Sequence, residues 1–567
     1  MAVRAVIVRK LVPFVLLAPL LGAEEGRTPV RVRGGLVVSQ SRRASEIGAA
    51  VLERGGNAVD AAVATAFALA VTHPAAGNVG GGGFLVALLP DGKATSFDFR
   101  EKAPRAATES MFLDARGVYD REKHHWSHLA AGVPGSVAGL HLAHSRLGRL
   151  PWRELIEPAV RLAAEGFALS PGLAASLRSV HRDLSKHPAS RAQFTRDGRP
   201  FAEGERLVQA DLARTLERVR DQGPGGFYRG RTADLIVQEM RRGGGLITHE
   251  DLAAYRAAER TPVRSTYRGY EIISMPPPSS GGVALVEMLN VLEGYDLRSR
   301  GAGSPQEVHV IVEAMRRAFA DRARYLGDPD FVEIPVARLI SKSYSDAIRD
   351  GIRADGAARS SPERFEWPAE SEETTHLSVV DKERMAVSLT TTLEQSYGSR
   401  IVVTGAGFLL NNEMGDFNPR AGRTTRGGHI GTAPNLAAPG KRMLSSMCPT
   451  IVARDARPIL VIGSPGGRTI INTVLQVIIG HLDHGLPVQQ AIDRPRFHHQ
   501  WLPDRIVAEA GALSDECRAV LEALGHRIVS RRGPQGSAMG IAVRADGTLE
   551  AGVDRRRPDA GAAGVRP

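Results

Sequence analysis

The apolar positions of the chain fall into stretches of different period. Gly34-Gly-Leu-Val-Val-Ser39 is a short apolar run that predicts a buried strand. From 44 to 70 the spacing is helical, and 60–70 form an alanine-rich core of high helix propensity. Asn78-Val-Gly-Gly-Gly-Gly-Phe84 then leads into a predicted strand over 85–89. Residues 130–330 read as mainly helical, broken at Gly132-Val-Pro-Gly135 and Gly243-Gly-Gly245. Within them, 264–274 carry the β-branched and aromatic residues of a strand. Pro276-Pro-Pro-Ser-Ser-Gly-Gly282 reads as a rigid turn, and 308–325 as an amphipathic helix.

The second part of the chain changes character at one point. Residues 351–373 are polar and rich in turn formers, the composition of an exposed segment that tolerates scission. From Thr374 onward, 376–380 and 385–393 alternate as strands, with Asp381-Lys-Glu-Arg384 as the turn between them. The stretches 401–403 and 407–411 are predicted to continue that sheet. Residues 418–442 form a long Gly/Arg loop without pattern, the kind of loop that often serves as a functional lid. A strand over 458–463 runs through Ser464-Pro-Gly-Gly467 into a helix from 470. A helix over 515–524 and strands near 528 and 541 follow, and no repeat of fixed period is present.

Composition narrows the class. The chain has 567 residues, more than one hydrophobic core usually supports, which gives a soft prior of two or more domains. It is 43% hydrophobic and 24% charged, ordinary for a globular protein. The net charge of +11 comes from 73 basic residues scattered among 62 acidic ones. The longest basic run is Arg555-Arg556-Arg557, and no stripe of basic and aromatic residues exists, which argues against nucleic acid as a partner. The two cysteines, Cys448 and Cys517, build no metal-ligand spacing and leave their pairing open. At the N-terminus, Arg4, Arg9 and Lys10 precede an apolar run that ends in Gly22-Ala23. This reads as a secretory signal over 1–23 and predicts a periplasmic or secreted protein, without membrane attachment once the signal is removed. No later segment reaches the roughly 18 apolar residues of a membrane span.

The candidate chemistry centres on Ser371-Glu-Glu-Thr-Thr-His-Leu-Ser-Val-Val-Asp381. A threonine hydroxyl is a weak nucleophile that needs a base. If the chain is cut before Thr374, the freed α-amino group, of intrinsic pKa about 8, supplies one at the same residue. On composition alone an ordinary strand threonine is the simpler reading. The glycines of 78–84 lack the Lys-Ser/Thr and the helix of a phosphate loop, so they read as structural. Arg100, in Asp98-Phe-Arg-Glu-Lys-Ala-Pro104, reads either as a surface residue or as a fork for a carboxylate.

Taken together, several motifs resemble those of the γ-glutamyltranspeptidases. They are Thr374-Thr-His-Leu-Ser-Val-Val-Asp381, Leu410-Asn-Asn-Glu-Met-Gly-Asp-Phe417, Leu444-Ser-Ser-Met447 and Gly463-Ser-Pro-Gly-Gly467, with Asp98-Phe-Arg-Glu101 and Asp493-Arg-Pro-Arg-Phe-His-His-Gln500. The resemblance covers nearly the whole mature chain in the expected order. It implies an α/β (α+β) fold, a four-layer αββα sandwich of the N-terminal nucleophile hydrolase type. One intertwined domain would be built from two subunits of one precursor, 24–373 and 374–567, made by autoproteolysis before Thr374. It further implies attack by Thr374 on the γ-carbonyl of glutathione or another γ-glutamyl compound. The resulting ester would be resolved by water, an amino acid or a peptide, with no metal and no cofactor.

By position, the resemblance assigns the oxyanion hole to Gly466 and Gly467. It assigns the substrate α-carboxylate to Arg100, Ser445 and Ser446, the α-ammonium to Glu413 and Asp416, and orientation of the nucleophile to Thr392. Three positions depart from the family pattern. Glu394 stands where the family usually has Asn, Gly415 where many members have a second Asp, and Gly427 where some bacterial members have an aromatic gate. Asp416 favours a γ-glutamyl group over a glutaryl side chain, which lacks the amine. A related acylase or poly-γ-glutamate transpeptidase, and a non-catalytic binding protein of the same fold, are the alternatives.

Overall fold

The computed structural model describes residues 29–361, 374–422, 424–427 and 430–566. The predicted signal (1–23) and part of the predicted scission segment (362–373) lie outside them. Fourteen strands build two sheets: β1 (Arg31–Val32), β2 (Gly35–Ser39), β3 (Gly82–Leu88), β4 (Ala94–Asp98), β5 (Ala258–Arg260), β6 (Val263–Tyr267), β7 (Tyr270–Ser274), β8 (Thr375–Asp381), β9 (Ala386–Thr392), β10 (Thr450–Arg454), β11 (Arg457–Gly463), β12 (Met539–Val543), β13 (Leu549–Val553) and β14 (Gly561–Val565). The first sheet has the order β14-β2-β8-β9-β3-β4-β5, the second β1-β13-β12-β11-β10-β7-β6. Every pairing in both is antiparallel. Each sheet takes strands from both sides of residue 374, so a cut there separates no layer from another. The sheets therefore form one layered body, where length alone suggested two or more domains.

Side-chain parity assigns the faces. Along β8 and β9, Leu377, Val379, Val387 and Leu389 join the core beneath the helices α1 (Arg42–Glu53), α2 (Ala58–Thr72), α3 (Ser136–Leu147) and α4 (Trp152–Glu165). The alternate positions face the second sheet, whose outer side is covered by α5 (Gly281–Glu293), α6 (Pro305–Tyr325) and α7 (Thr469–Leu482). The order of layers is thus helix, sheet, sheet, helix. All fifteen residues of α2 are buried, as expected of a helix apolar on every side.

The space between the sheets is partly polar. Ser378 Oγ donates to the Met539 carbonyl at 3.1 Å, and Ser388 Oγ to that of Ile462 at 3.1 Å. His376 is hydrogen-bonded to Thr390 Oγ1 through Nδ1 (2.8 Å) and to Ser378 Oγ through Nε2 (3.1 Å). Burial lowers its pKa to about 3, so the ring is neutral at ordinary pH. These bonds satisfy polar groups that would otherwise be costly to bury, and those of Ser378 and Ser388 tie one sheet to the other.

Three expectations need correction. The helix over 44–70 is two helices, because Gly55 turns the chain at φ 91° and Asn57 starts α2 with a capping box to Asp60. The strand over 264–274 is the hairpin β6–β7, turned by Arg268 and Gly269 at φ 53° and 78°. Residues 401–411 do not extend a sheet. They make a single bridge, Val402 to Leu409, and pack on the helical core. The two cysteines are free and buried. No helix among the described residues is long and apolar enough to cross a membrane.

A Cβ on Gly463 would lie 2.3 Å from the His376 ring. Gly463→Ala is therefore expected to destabilise the fold by about 1–3 kcal/mol, read as a lower thermal midpoint. An unchanged midpoint would contradict the close packing between the sheets at this point.

Candidate active site

The cleft begins where β8 and β9 end. Thr375 pairs with Thr391, so the next step of the ladder sets Thr374 opposite Thr392. Both lie on the face that looks toward the second sheet. Thr374 is only 6% exposed. Thr392 is fixed from several sides: its Oγ1 accepts the Glu394 N–H at 2.8 Å and its carbonyl accepts Asn78 Nδ2 at 2.8 Å. Asn78 Oδ1 in turn takes the Gly81 N–H at 3.0 Å and the Ser136 hydroxyl at 2.6 Å. A Cβ on Gly81 would come within 2.1 Å of the Thr392 carbonyl, so this glycine serves close packing against the end of β9, not phosphate binding.

Opposite the threonines, β11 runs out into the turn that starts α7. Gly466 and Gly467 sit there at φ 132° and 53°, conformations that favour glycine. Gly467 lines the cleft together with Thr374, Thr392, Met447 and Ile470. The remaining lining comes from Arg100, Glu394, Glu413, Asp416, Ser445 and Ser446. Nine of the ten residues singled out by resemblance thus line one cleft. The tenth, Gly466, adjoins it.

The acids are placed by buried amides. Glu413–Asp416 form a 3₁₀ turn. Asn411 Oδ1 accepts the N–H groups of Gly132 (2.8 Å) and Glu413 (3.1 Å), and its Nδ2 donates to the carbonyls of Gly80 and Gly132 at 2.8 Å. Asn435, in the loop predicted as a lid, donates to the Asp416 carbonyl at 2.7 Å and accepts the Leu444 N–H at 2.8 Å. That loop is therefore anchored to both walls of the cleft. Gly427, farther along it, is exposed and does not line the cleft.

Arg100 is buried in the centre and pairs through Nη1 with Glu413 and through Nη2 with Asp416. Nε donates to the Met443 carbonyl at 3.2 Å, and Glu101 lies 3.7 Å from Nη1. The residue expected to hold a carboxylate and the two expected to hold an ammonium are therefore joined to each other. Burial opposes the Arg100 charge, but Glu413, Asp416 and Glu101 outweigh it and raise its pKa. Glu413 is pushed well above the usual carboxylate range despite its contact with Arg100. Burial is the main cause, reinforced by Glu101, Asp416 and Glu394. Three carboxyl groups, those of Glu413, Asp416 and Glu101, thus lie against this guanidinium.

Two neighbours escaped sequence reasoning. Arg322 donates from Nη2 to Ser446 Oγ at 3.0 Å and from Nε to Ser280 Oγ at 2.9 Å. Ser280 Oγ donates in turn to the Ser445 carbonyl at 2.6 Å, so one buried arginine orients both serines. The signal was present: Arg322 falls on the stripe of Val308, Ile311, Met315 and Phe319, where α6 is otherwise apolar. His125 stands behind Glu394, with Nδ1 3.7 Å from Oε1.

Burial raises the Glu101 pKa from 4.5 to about 8. A carboxyl group that binds its proton more tightly when folded stabilises fully below its unfolded pKa and loses that contribution as pH rises through the folded value. The thermal midpoint of the substrate-free protein is expected to fall between about pH 4.5 and about pH 8. Glu101→Gln should flatten that fall, and an equal fall in the variant would contradict it.

Comparison with known proteins agrees with this geometry. The family model described as Gamma-glutamyltranspeptidase matches residues 44–564. The glutathione hydrolase proenzyme of Escherichia coli (strain K12) is 47% identical over 535 residues, covering 94% of this chain and 92% of that protein. Among solved structures, the Helicobacter pylori gamma-glutamyltranspeptidase is 48% identical with a TM-score of 0.55, over 56% of this chain and 91% of that one. A cephalosporin acylase from Bacillus halodurans is 26% identical with a TM-score of 0.85, over 98% of this chain and all of that one. The chain belongs to the gamma-glutamyltranspeptidase family.

Proposed function

We propose that the protein is a γ-glutamyl hydrolase and transferase that acts on glutathione and related γ-glutamyl compounds, and that it matures by cutting itself before Thr374. The observation that carries this reading is the convergence of Thr374, Thr392, Gly467, Arg100, Glu413, Asp416, Ser445 and Ser446 on one cleft. The mature form would pair 24–373 with 374–567, the two chains sharing both sheets. The signal read over 1–23 supports a periplasmic or secreted location.

After the cut, the α-amino group of Thr374 takes the proton from its own hydroxyl, directly or through water, as Oγ attacks the γ-carbonyl. Thr392, beside it on β9, orients that hydroxyl. The N–H groups of Gly466 and Gly467 receive the oxyanion of the tetrahedral intermediate. Its collapse breaks the amide C–N bond, and the leaving amine takes up the proton. A γ-glutamyl ester of Thr374 remains. Water, or the amino group of an amino acid or peptide, then attacks the ester carbonyl and releases Thr374.

Substrate recognition follows from the ion pairs already present. A γ-glutamyl group carries an α-carboxylate and an α-ammonium on one carbon. Its carboxylate takes Arg100 with the hydroxyls of Ser445 and Ser446, while its ammonium replaces the guanidinium beside Glu413 and Asp416. The pairs of Arg100 with Glu413 and Asp416 are thus exchanged for pairs with the substrate. A glutaryl group brings the carboxylate alone and would strand the acids. This is the physical ground for preferring a γ-glutamyl substrate over the glutaryl substrate of an acylase.

The test is a pair of anilides, γ-glutamyl and glutaryl. The γ-glutamyl compound should be turned over and the glutaryl compound far more slowly. Thr374→Ala should lose activity by on the order of 10³-fold or more. Arg100→Ala should raise KM by about 10–100-fold, the worth of a charge-assisted hydrogen bond. Faster turnover of the glutaryl compound would favour the acylase reading instead.

A further inference from the structure

Pro276-Pro-Pro-Ser-Ser-Gly-Gly282, the turn that leads from β7 into α5, lies against the wall of the cleft that carries Ser445 and Ser446. The two segments run parallel, with Ser279 bridged to Ser445. The Pro278 carbonyl accepts the Ser445 N–H at 2.9 Å. The Ser445 carbonyl accepts the Ser280 N–H at 2.7 Å and the Ser280 hydroxyl at 2.6 Å. Ser279 Oγ donates to the Met447 carbonyl. A Cβ on Gly281 would come within 2.4 Å of that carbonyl, so the approach of the two segments needs glycine there. The turn thus fixes the backbone of 445–447 from behind.

Arg322, buried on α6, acts on the hydroxyls. A serine hydroxyl has one proton to give and two lone pairs with which to accept. Ser280 Oγ accepts from Arg322 Nε at 2.9 Å and gives its proton to the Ser445 carbonyl. Ser446 Oγ accepts from Arg322 Nη2 at 3.0 Å. A guanidinium has no lone pair, so the Ser446 proton cannot turn back toward α6 and is directed away from it. Ser445 Oγ likewise accepts, from the Met447 N–H at 3.1 Å, and keeps its own proton to give. Both serines line the cleft, so both present themselves to it as donors. Ser280 and Arg322 precede Thr374 in the chain, whereas Ser445 and Ser446 follow it.

We propose that Arg322, acting with Ser280 of the 276–282 turn, is a positioning residue for substrate recognition: it commits the hydroxyls of Ser445 and Ser446 to donate into the cleft, toward the substrate α-carboxylate. The proposal rests on the γ-glutamyl reading above. Arg322 touches no substrate atom in this arrangement and works only through the serines. After the cut before Thr374, the larger subunit sets the donors that the smaller one offers.

The experiment uses the processed enzyme with a γ-glutamyl anilide and with the same anilide carrying an α-carboxamide in place of the α-carboxylate. Arg322→Leu should raise KM for the carboxylate substrate about tenfold while kcat stays within about twofold, because recognition is lost and the chemistry is not. For the carboxamide, kcat/KM should change by less than about twofold. In a Ser446→Ala background the same change should raise KM by less than about threefold, since most of its effect passes through that hydroxyl. Arg322→Lys, which keeps a charged donor, should recover most of the affinity. Ser280→Ala should raise KM for the carboxylate substrate about threefold and keeps the test open if the leucine variant fails to fold. An equal loss on both substrates, a loss confined to kcat, or a full tenfold KM rise in the Ser446→Ala background would overturn the proposal. Failure of the wild-type enzyme to turn over the γ-glutamyl anilide at all would instead overturn the γ-glutamyl reading.

Discussion

The antiparallel pairing of β8 with β9 is the constraint on which the rest of the molecule depends. It lies in the interior of the first sheet, with β2 on one side and β3 on the other. Its register sets Thr374 opposite Thr392, and its parity turns both toward the second sheet. A slip of one residue would send Thr374 to the helix face, away from Gly467. The hydrogen bonds of Ser378 and Ser388 between the sheets, and that of His376 to Thr390 between β8 and β9, resist that slip, because each lost bond would leave a buried polar group unsatisfied. The second sheet then delivers the end of β11 and the Gly466–Gly467 turn to the same edge.

Around that edge the structure concentrates negative charge. Glu101, Glu394, Glu413 and Asp416 surround Arg100 in a site largely closed to water. Burial and crowding hold Glu101 and Glu413 above the usual carboxylate range. The same acids engage the guanidinium that a carboxylate needs, so a ligand with only one charge meets an unfavourable exchange. In the proposed function, preference for a zwitterionic end group follows from this shared pairing. Arg322 and Asn435 hold the walls from behind, which leaves few side chains in the cleft able to move independently.

Much of this was legible in the sequence. The change at Thr374 from polar turns to alternating strands located β8, because period-two patterning survives wherever one sheet face is apolar. The glycines near 80 read as structural, and the contact of Gly81 with the Thr392 carbonyl gives the reason. What stayed hidden depends on tertiary contact. Nothing in the periodicity of 44–70 outweighed its helix propensity, yet Gly55, Gly56 and the Asn57 cap split it. The strands expected over 401–411 are apolar enough for a sheet but pack on helices instead. The mutual pairing of Arg100 with Glu413 and Asp416 joins residues more than 300 positions apart, which no local pattern reports. Arg322 was visible as a cation in an apolar stripe.

All of the proposed chemistry requires that Thr374 carry a free amino group. Amino-terminal sequencing of the polypeptides in an active preparation tests this most directly. The account predicts two chains, the shorter beginning at Thr374. A shorter chain that begins at any other residue, or full activity in a single uncut chain, would contradict it.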